Sequence, residues 1–293
     1  MVLQRGIKND PANLNEASIT YYYLNLYNLY VEAVDAEKPN YKKRLISEYF
    51  VLSTIIADTS NKVPAQTQEN VNTYFNSAIK SCSDIVPELK GYMSELPQDV
   101  GSKKIAVNNF ISLLELKGCT DSDEYEKLID ILNEIDPSVY GKLAKAKLMT
   151  IKRRYSEAIS AYKDARQMTS DNTKKEEIDY LIAETYFRQG SYNSAYSAAM
   201  NVSGKFKGEA LKMAGQCVAA TANSCGASTV DRKCNYYYAV ELLERAASNG
   251  ASVGSLIGKY RDNYPSDGEL FDNGMKRGQS VSLSCWNVSV TLK

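Results

Sequence analysis

The sequence predicts an all-α chain of stacked helix-turn-helix repeats, finished by a small C-terminal β-hairpin cap. Three observations predict it. One pattern of small and aromatic residues is written twice between Tyr140 and Val202: Ala146, Met149, Tyr155, Ala158, Tyr162 and Ala165, then Ile182, Ala183, Tyr186, Gly190, Tyr192, Ala195 and Ala199. Small residues at fixed intervals, with an aromatic just before the second helix, let two antiparallel helices approach closely, and a period of this kind marks a stacked repeat. Apolar residues recur at helical spacing through most of the remaining chain. From Gly278 to Lys293 the spacing changes to a period of two, with Val281, Leu283 and Cys285 followed by Val288, Val290 and Leu292, which suits two short strands.

The doubled pattern resembles the tetratricopeptide repeat (TPR), a helix-turn-helix unit of about 34 residues, and the resemblance implies a right-handed solenoid. Ala158 and Ala195, the matching second-helix alanines, stand slightly further apart than one such unit, which places extra residues in the loop Thr169 to Thr173. Lys145 fills a slot where the repeat prefers Leu. A third unit follows. Its first helix, Glu209 to Ala222, carries Ala214, Gly215 and Val218, and its second, Tyr236 to Ser248, carries Ala239, Leu243 and Ala246. An inserted loop at about 223–234 separates the two.

Residues 1–134 read as an irregular helical part, 135–263 as the three repeats and 264–293 as the cap. The start, through Pro11, reads as a frayed end. From Glu16 to Val34, the residues Ile19, Tyr22, Tyr23, Leu26, Tyr27 and Tyr30 make a helix buried on more than one face. Pro39 lies in the break before a second helix marked by Leu45, Ile46, Tyr49, Leu52 and Ile56, and the two pair as a hairpin. A third helix follows Pro64, carries Val71, Phe75, Ala78 and Ile79, and ends at Cys82. Ser83 to Leu96 reads as a short helix in which Pro87 is tolerable only in the first turn or at a kink. Lys103 to Lys117 and a helix with Tyr125, Leu128, Ile129 and Leu132 lead to Pro137. After the third repeat a last helix, Val253 to Asn263, stops at Tyr264-Pro265.

Composition excludes several functions. Lys plus Arg equals Asp plus Glu at 35 each, so no basic surplus exists to neutralise phosphates, and nucleic acid is not an expected partner. Histidine is absent, which removes the commonest general base and metal ligand together. No catalytic residue, metal or cofactor is assigned. Tyrosine numbers 22 against 6 Phe and 1 Trp; its hydroxyl can stay wet while its ring closes a helix contact, as a thin structure requires. No stretch approaches the roughly 20 apolar residues that span a bilayer.

Several short motifs invite a chemical reading and do not sustain it. Gly250-Ala251-Ser252-Val253-Gly254 fits the nucleophile-elbow spacing, but that motif needs a strand before it and a histidine to take the serine proton; a helix end, a turn and a new helix start fit better. Ser77-Ala78-Ile79-Lys80 falls on one amphipathic helix without the companion motifs of serine acyl-enzymes. Asp121-Ser122-Asp123 opens like a calcium loop, yet the sixth position is Glu126 rather than Gly, so it reads as acidic capping of the next helix. Lys152-Arg153-Arg154 reads as a solvated turn.

The six cysteines fit no C-x-x-C zinc or redox spacing. In an oxidising compartment disulfides are the leading reading, with Cys82 and Cys119 ending two successive helices and Cys225 with Cys234 bounding the inserted loop. In a reducing one all six are thiols. Here a narrower resemblance bears on the choice. Ser224-Cys225-Gly226, Tyr260 with Tyr264-Pro265, Gly278-Gln279 and Cys285-Trp286, together with Gly118-Cys119-Thr120-Asp121-Ser122 and Asp136-Pro137-Ser138, are similar to a family of extracytoplasmic TPR proteins of Bacteroidetes bacteria. The likeness runs from about Ser81 to Lys293. It implies a periplasmic or cell-envelope location, disulfides, and a chain that is the later part of a longer one with a signal peptide.

What remains as a working part is a surface. In this architecture the first helix of each unit lines the concave groove, so its residues not needed for packing face a partner. Those are Leu143 and Lys147 in the first unit, Tyr180, Glu184, Phe187 and Arg188 in the second, and Lys212 and Gln216 in the third. Aromatics mixed with both charge signs suit a protein or peptide segment; the same residues would also serve merely to solvate the groove. The expected function is a non-enzymatic protein-interaction scaffold. The alternative is a carbohydrate or small-ligand receptor that uses the tyrosine-rich N-terminal helices.

Overall fold

A computed structural model describes residues 14–58 and 61–293; the expected frayed start lies outside them. Among the described residues are fourteen α-helices and two short strands, the strands lying near the C-terminus. The chain divides into two compact units, residues 1–141 and 142–293, each described by itself.

The first unit contains α1 (Glu16–Glu32), α2 (Lys38–Ala57), α3 (Gln66–Ala78), α4 (Cys82–Tyr92), α5 (Val100–Lys117) and α6 (Asp123–Ile135). α1 starts at a capping box, in which Asn15 and Ser18 exchange side-chain and backbone hydrogen bonds. α2 starts with Pro39 in its first turn, where the missing N–H costs nothing. Its length lets it touch α1, α3, α4 and α5. Phe50 of α2 meets Phe110 of α5 edge-on at 5.0 Å and Tyr92 of α4 at 5.6 Å. Buried tyrosines here find partners: Tyr23 Oη donates to the Leu45 carbonyl at 2.8 Å, and the Tyr92 and Thr54 hydroxyls lie 2.7 Å apart. That pairing removes the penalty of an unsatisfied hydroxyl and leaves the ring free to pack.

Two local expectations are corrected in this unit. Cys82 opens α4 rather than closing the preceding helix, because Ser81 accepts a hydrogen bond from the Ser83 N–H and caps a new start. Pro87 stands inside α4, beyond its first turn. The Cys82–Cys119 bond does form, with Cα atoms 5.5 Å apart. Cys119 follows Gly118, whose left-handed conformation ends α5.

The division between the units falls within α7 (Val139–Ile151). After it come α8 (Tyr155–Met168), α9 (Asn172–Arg188), α10 (Tyr192–Met200), α11 (Lys207–Thr221), α12 (Thr229–Ser248), α13 (Gly254–Arg261), α14 (Asp267–Asp272), β1 (Ser280–Leu283) and β2 (Val288–Thr291). From α8 to α13 each helix packs on the next. Small residues occupy the contacts: Ala158, Ala183, Ala195, Ala214, Ala239 and Ala246 are all fully buried. Gly208 and Gly215 mark close approaches of α11 to α12, since a methyl group would stand 2.5 Å from the Asn249 carbonyl oxygen at the first and 2.9 Å from the Ala239 carbonyl oxygen at the second.

The turns within the doubled pattern share one device. Arg153 after α7 and Gly190 after α9 are both left-handed, at φ 58° and 79°. In each case the next N–H reaches the carbonyl five residues earlier, Arg154 to Met149 at 2.8 Å and Ser191 to Tyr186 at 3.0 Å. The first copy thus holds an arginine in a conformation that suits glycine.

The inserted loop is shorter than expected. Ser228 and Asp231 form a capping box, so α12 starts at Thr229 and Cys234 lies in its second turn. Cys234 faces the core, buried, and with Cys217 it is a free thiol. The pairing of Cys225 with Cys234 is therefore corrected: Cys225 bonds Cys285, across Cα atoms 6.0 Å apart. Burial pushes the Cys217 thiol up to about 12 and the Cys234 thiol up to about 11. α14 is an element that the pattern did not reveal; it starts at a third capping box, Ser266 with Glu269.

β1 and β2 pair antiparallel, with Val281 opposite Val290 and Leu283 opposite Val288. The pleat turns these four inward, while Ser280, Ser282, Ser289 and Thr291 point out, as the period of two requires. Leu283, Trp286, Val290 and Leu292 join the buried cluster around α11 and α12.

Two measurements check this fold. Non-reducing peptide mapping of oxidised protein yields Cys82–Cys119 and Cys225–Cys285, with Cys217 and Cys234 alkylated only after unfolding. Replacing Arg153 with Gly relieves the left-handed strain and stabilises by about 1 kcal/mol, whereas Gly190→Ala destabilises by about 1 kcal/mol, both read from denaturation midpoints.

Candidate functional site

α9 carries most of the expected groove residues. It begins where Asp171 accepts hydrogen bonds from the Thr173 and Lys174 N–H groups at 2.8 and 3.3 Å. From there Tyr180, Glu184 and Arg188 recur every fourth residue and so share one face. Arg188 donates to the Glu184 carboxylate at 2.8 Å, with its side chain 56% exposed. That hydrogen bond raises the Arg188 guanidinium above its ordinary value, and the hydroxyls of Tyr155 and Tyr162 on α8 act in the same direction.

Tyr180 stacks on Phe206, with ring centroids 5.3 Å apart and planes 14° from parallel. Burial raises its hydroxyl above the usual tyrosine value, helped by the carboxylates of Glu184 and Glu209. Glu209 pairs with Lys212 at 3.2 Å, and the Lys205 ammonium lies 4.8 Å from the Phe206 ring centre. Two rings and two acid–base pairs thus form one continuous patch across α9 and the start of α11.

Of the expected groove residues, Arg188 pairs with Glu184, Tyr180 stacks on Phe206 and Lys212 pairs with Glu209, and no such contact links these to the others. Leu143 and Lys147 stand one turn apart on α7, half-buried and exposed respectively, and Gln216 is half-buried one turn beyond Lys212. Phe187 meets Tyr192 edge-on at 5.6 Å. Helix pairing had given no task to Tyr180 or Phe187, and that expectation is corrected: both are half-buried against the core of the second unit. Phe206 and Glu209 are the members that the sequence pattern missed. Phe206 lies in a short 3-10 turn, Gly204–Phe206, too brief to show any periodicity; an aromatic two residues after a glycine was the only signal.

The chain matches no family model, no curated protein and no solved structure.

The chemistry of the face then bears on function directly. Its groups are paired cations, carboxylates and neutral phenols, which bind by charge and stacking. Gly250 closes α12 in a left-handed conformation and Val253 precedes α13, so the nucleophile-elbow spacing falls between two helices. Among the described residues no group of three or more His, Cys, Asp or Glu side chains could hold a metal ion.

The Tyr180–Phe206 stack is measurable as a coupling. A double-mutant cycle with Tyr180→Leu and Phe206→Leu gives an interaction of about 1 kcal/mol in unfolding free energy.

Proposed function

We propose that the chain is a non-enzymatic protein-interaction scaffold of TPR type, working in the bacterial cell envelope as an extracytoplasmic Bacteroidetes protein, with β1 and β2 capping a right-handed solenoid. The observation that carries the reading is the uninterrupted succession from α8 to α13. From α8 to α12 buried alanines sit in these contacts, and on the α9 face Tyr180 and Glu184 stay half-buried while Arg188 is exposed. A stack of this kind presents the same face of successive helices side by side, as an extended binding surface does. Two disulfides fit an oxidising compartment, and no described helix is long and apolar enough to cross a membrane.

Arg188 is the anchor of the proposed surface. It is exposed and paired with Glu184, and arginine is enriched where a few residues carry most of the binding energy. Tyr180 and Phe206 supply the apolar floor, with the Lys212–Glu209 pair beside them. The partner segment then carries a carboxylate for Arg188 and an apolar side chain for the Tyr180 ring.

Affinity capture from the native cell envelope, followed by titration of the captured partner, tests this. Arg188→Ala weakens binding by about thirtyfold, equivalent to about 2 kcal/mol, without lowering the melting temperature. Unchanged affinity in a folded Arg188→Ala variant transfers attention from the α9 face to the loop at 225–228.

A further inference from the structure

Away from that face, β1 is the edge of a sheet that has two strands among the described residues. Gly278 and Gln279 together stand opposite Leu292: the Gly278 N–H donates to the Leu292 carbonyl at 2.8 Å, and the Leu292 N–H donates to the Gln279 carbonyl at 2.9 Å. With Gly278 left-handed at φ 81°, this is a bulge at the entry to β1. It sets the phase of the ladder, because bonded and unbonded pairs alternate in an antiparallel sheet. Gln279 is bonded to Leu292, so Val281 is bonded to Val290 and Leu283 to Val288. The backbone N–H and C=O groups of Ser280 and Ser282 therefore point away from β2. Among the described residues no group outside the hairpin bonds to either serine.

A cavity of about 260 Å³ runs along this edge. Val281, Ser282, Leu283 and Ser284 line it in unbroken succession, whereas a sheet face would offer alternate residues, so the cavity meets the strand from the side. Its opposite wall is Cys225, Gly226 and Ala227, and the Cys225–Cys285 bond ties the two walls together just beyond β1. Of the lining residues only Asp231, in the first turn of α12, is charged. Asp231 Oδ2 accepts from the Ser228 N–H at 2.9 Å, and no cation pairs with it among the described residues. Edge strands are commonly guarded by a lysine, a proline or another charge. Ser280 to Cys285 contains none of these.

We propose that β1 accepts an extended peptide segment of a partner protein as a third strand, with a lysine or arginine of that segment on Asp231. The main chain of such a segment presents N–H and C=O groups at the spacing of Ser280 and Ser282, and it lies about 4.8 Å from β1, along the cavity. Asp231 then supplies the selectivity that main-chain pairing lacks. A second copy of this chain, pairing through its own Ser280 to Cys285, would bring no cation to Asp231. This edge is separate from the α9 face, and either reading stands without the other.

Selection of a phage-displayed library of random octapeptides on the full oxidised chain, with calorimetric titration of the enriched peptides, tests the edge. The expected peptides combine β-forming residues with one lysine or arginine and bind with a dissociation constant on the order of 10 μM. Methylating alternate backbone nitrogens of a peptide weakens it at least about tenfold in one register and leaves the other register unaffected, since only one set of N–H groups faces β1. Ser282→Pro removes an outward N–H at an edge position that tolerates proline, and it weakens binding at least about tenfold. Asp231→Asn keeps an acceptor for the Ser228 N–H and abolishes the preference for lysine over glutamate. Arg188→Ala changes nothing. If Ser282→Pro fails to fold, the methylated peptides and Asp231→Asn carry the test. The proposal is overturned if no peptide is enriched, if methylation acts equally in both registers, or if binding is lost in Arg188→Ala and kept in Ser282→Pro, which assigns the peptide to the α9 face. A dimer of the unliganded chain that Ser282→Pro dissociates in sedimentation also overturns it and makes the occupant a second copy.

Discussion

Gly215 on α11 lies against the Ala239 carbonyl of α12 with no room for a methyl group, and the second unit is arranged around that close approach. Because the two backbones come so near, α12 is buried along most of its length, from Val230 through Ala246. Its exposed-looking polar residue, Asn235, is therefore sealed in and must find partners. It donates to the Cys225 carbonyl at 2.7 Å and accepts from the Trp286 indole at 3.1 Å. One amide thus fixes the end of the loop before α12 and the hairpin that follows α14. Separating α11 from α12 by a methyl group would loosen both at once, since a buried network holds only while every member stays paired.

The sequence was most legible where one physical period dominates. Ala158 and Ala195 announced closely packed helices, and the alternation around Val281 and Leu283 announced strands, because burial on one face imposes those spacings directly. It was least legible where a contact joins residues that no period connects. Cys285 gave no local sign that Cys225 was its partner, and the shorter span to Cys234 suggested the wrong bond until the capping box at Ser228 put Cys234 inside a helix. The candidate face shows the same division. Tyr180, Glu184 and Arg188 follow from helical geometry alone, whereas Phe206 comes from a single short turn and changes what Tyr180 does.

The excess of tyrosine over phenylalanine has two distinct uses. In the first unit Tyr23 and Tyr92 carry their hydroxyls into the core and satisfy them on a backbone carbonyl and a threonine. In the second unit the Tyr196 and Tyr238 hydroxyls meet at 2.6 Å, and the Tyr196 ring lies 4.5 Å from that of Trp286. A phenylalanine would keep the area of each ring contact and lose these directional links. Narrow helical layers gain from such links, because few of their residues are remote enough from solvent to rely on burial alone.

The Cys225–Cys285 bond has a mechanical meaning. A load applied at Lys293 extends only the short stretch beyond Cys285 before it meets the crosslink, passes to Cys225 and enters α11. The intervening segment, with its sequence separation of 60, contains α12 to α14 and β1 and bears no tension while the bond is intact. About 200 Å of contour, at roughly 3.3–3.6 Å per extended residue, stays hidden from the pulling force. Reduction would release that length, so the redox state of one exposed cysteine sets how far this end of the chain can be stretched.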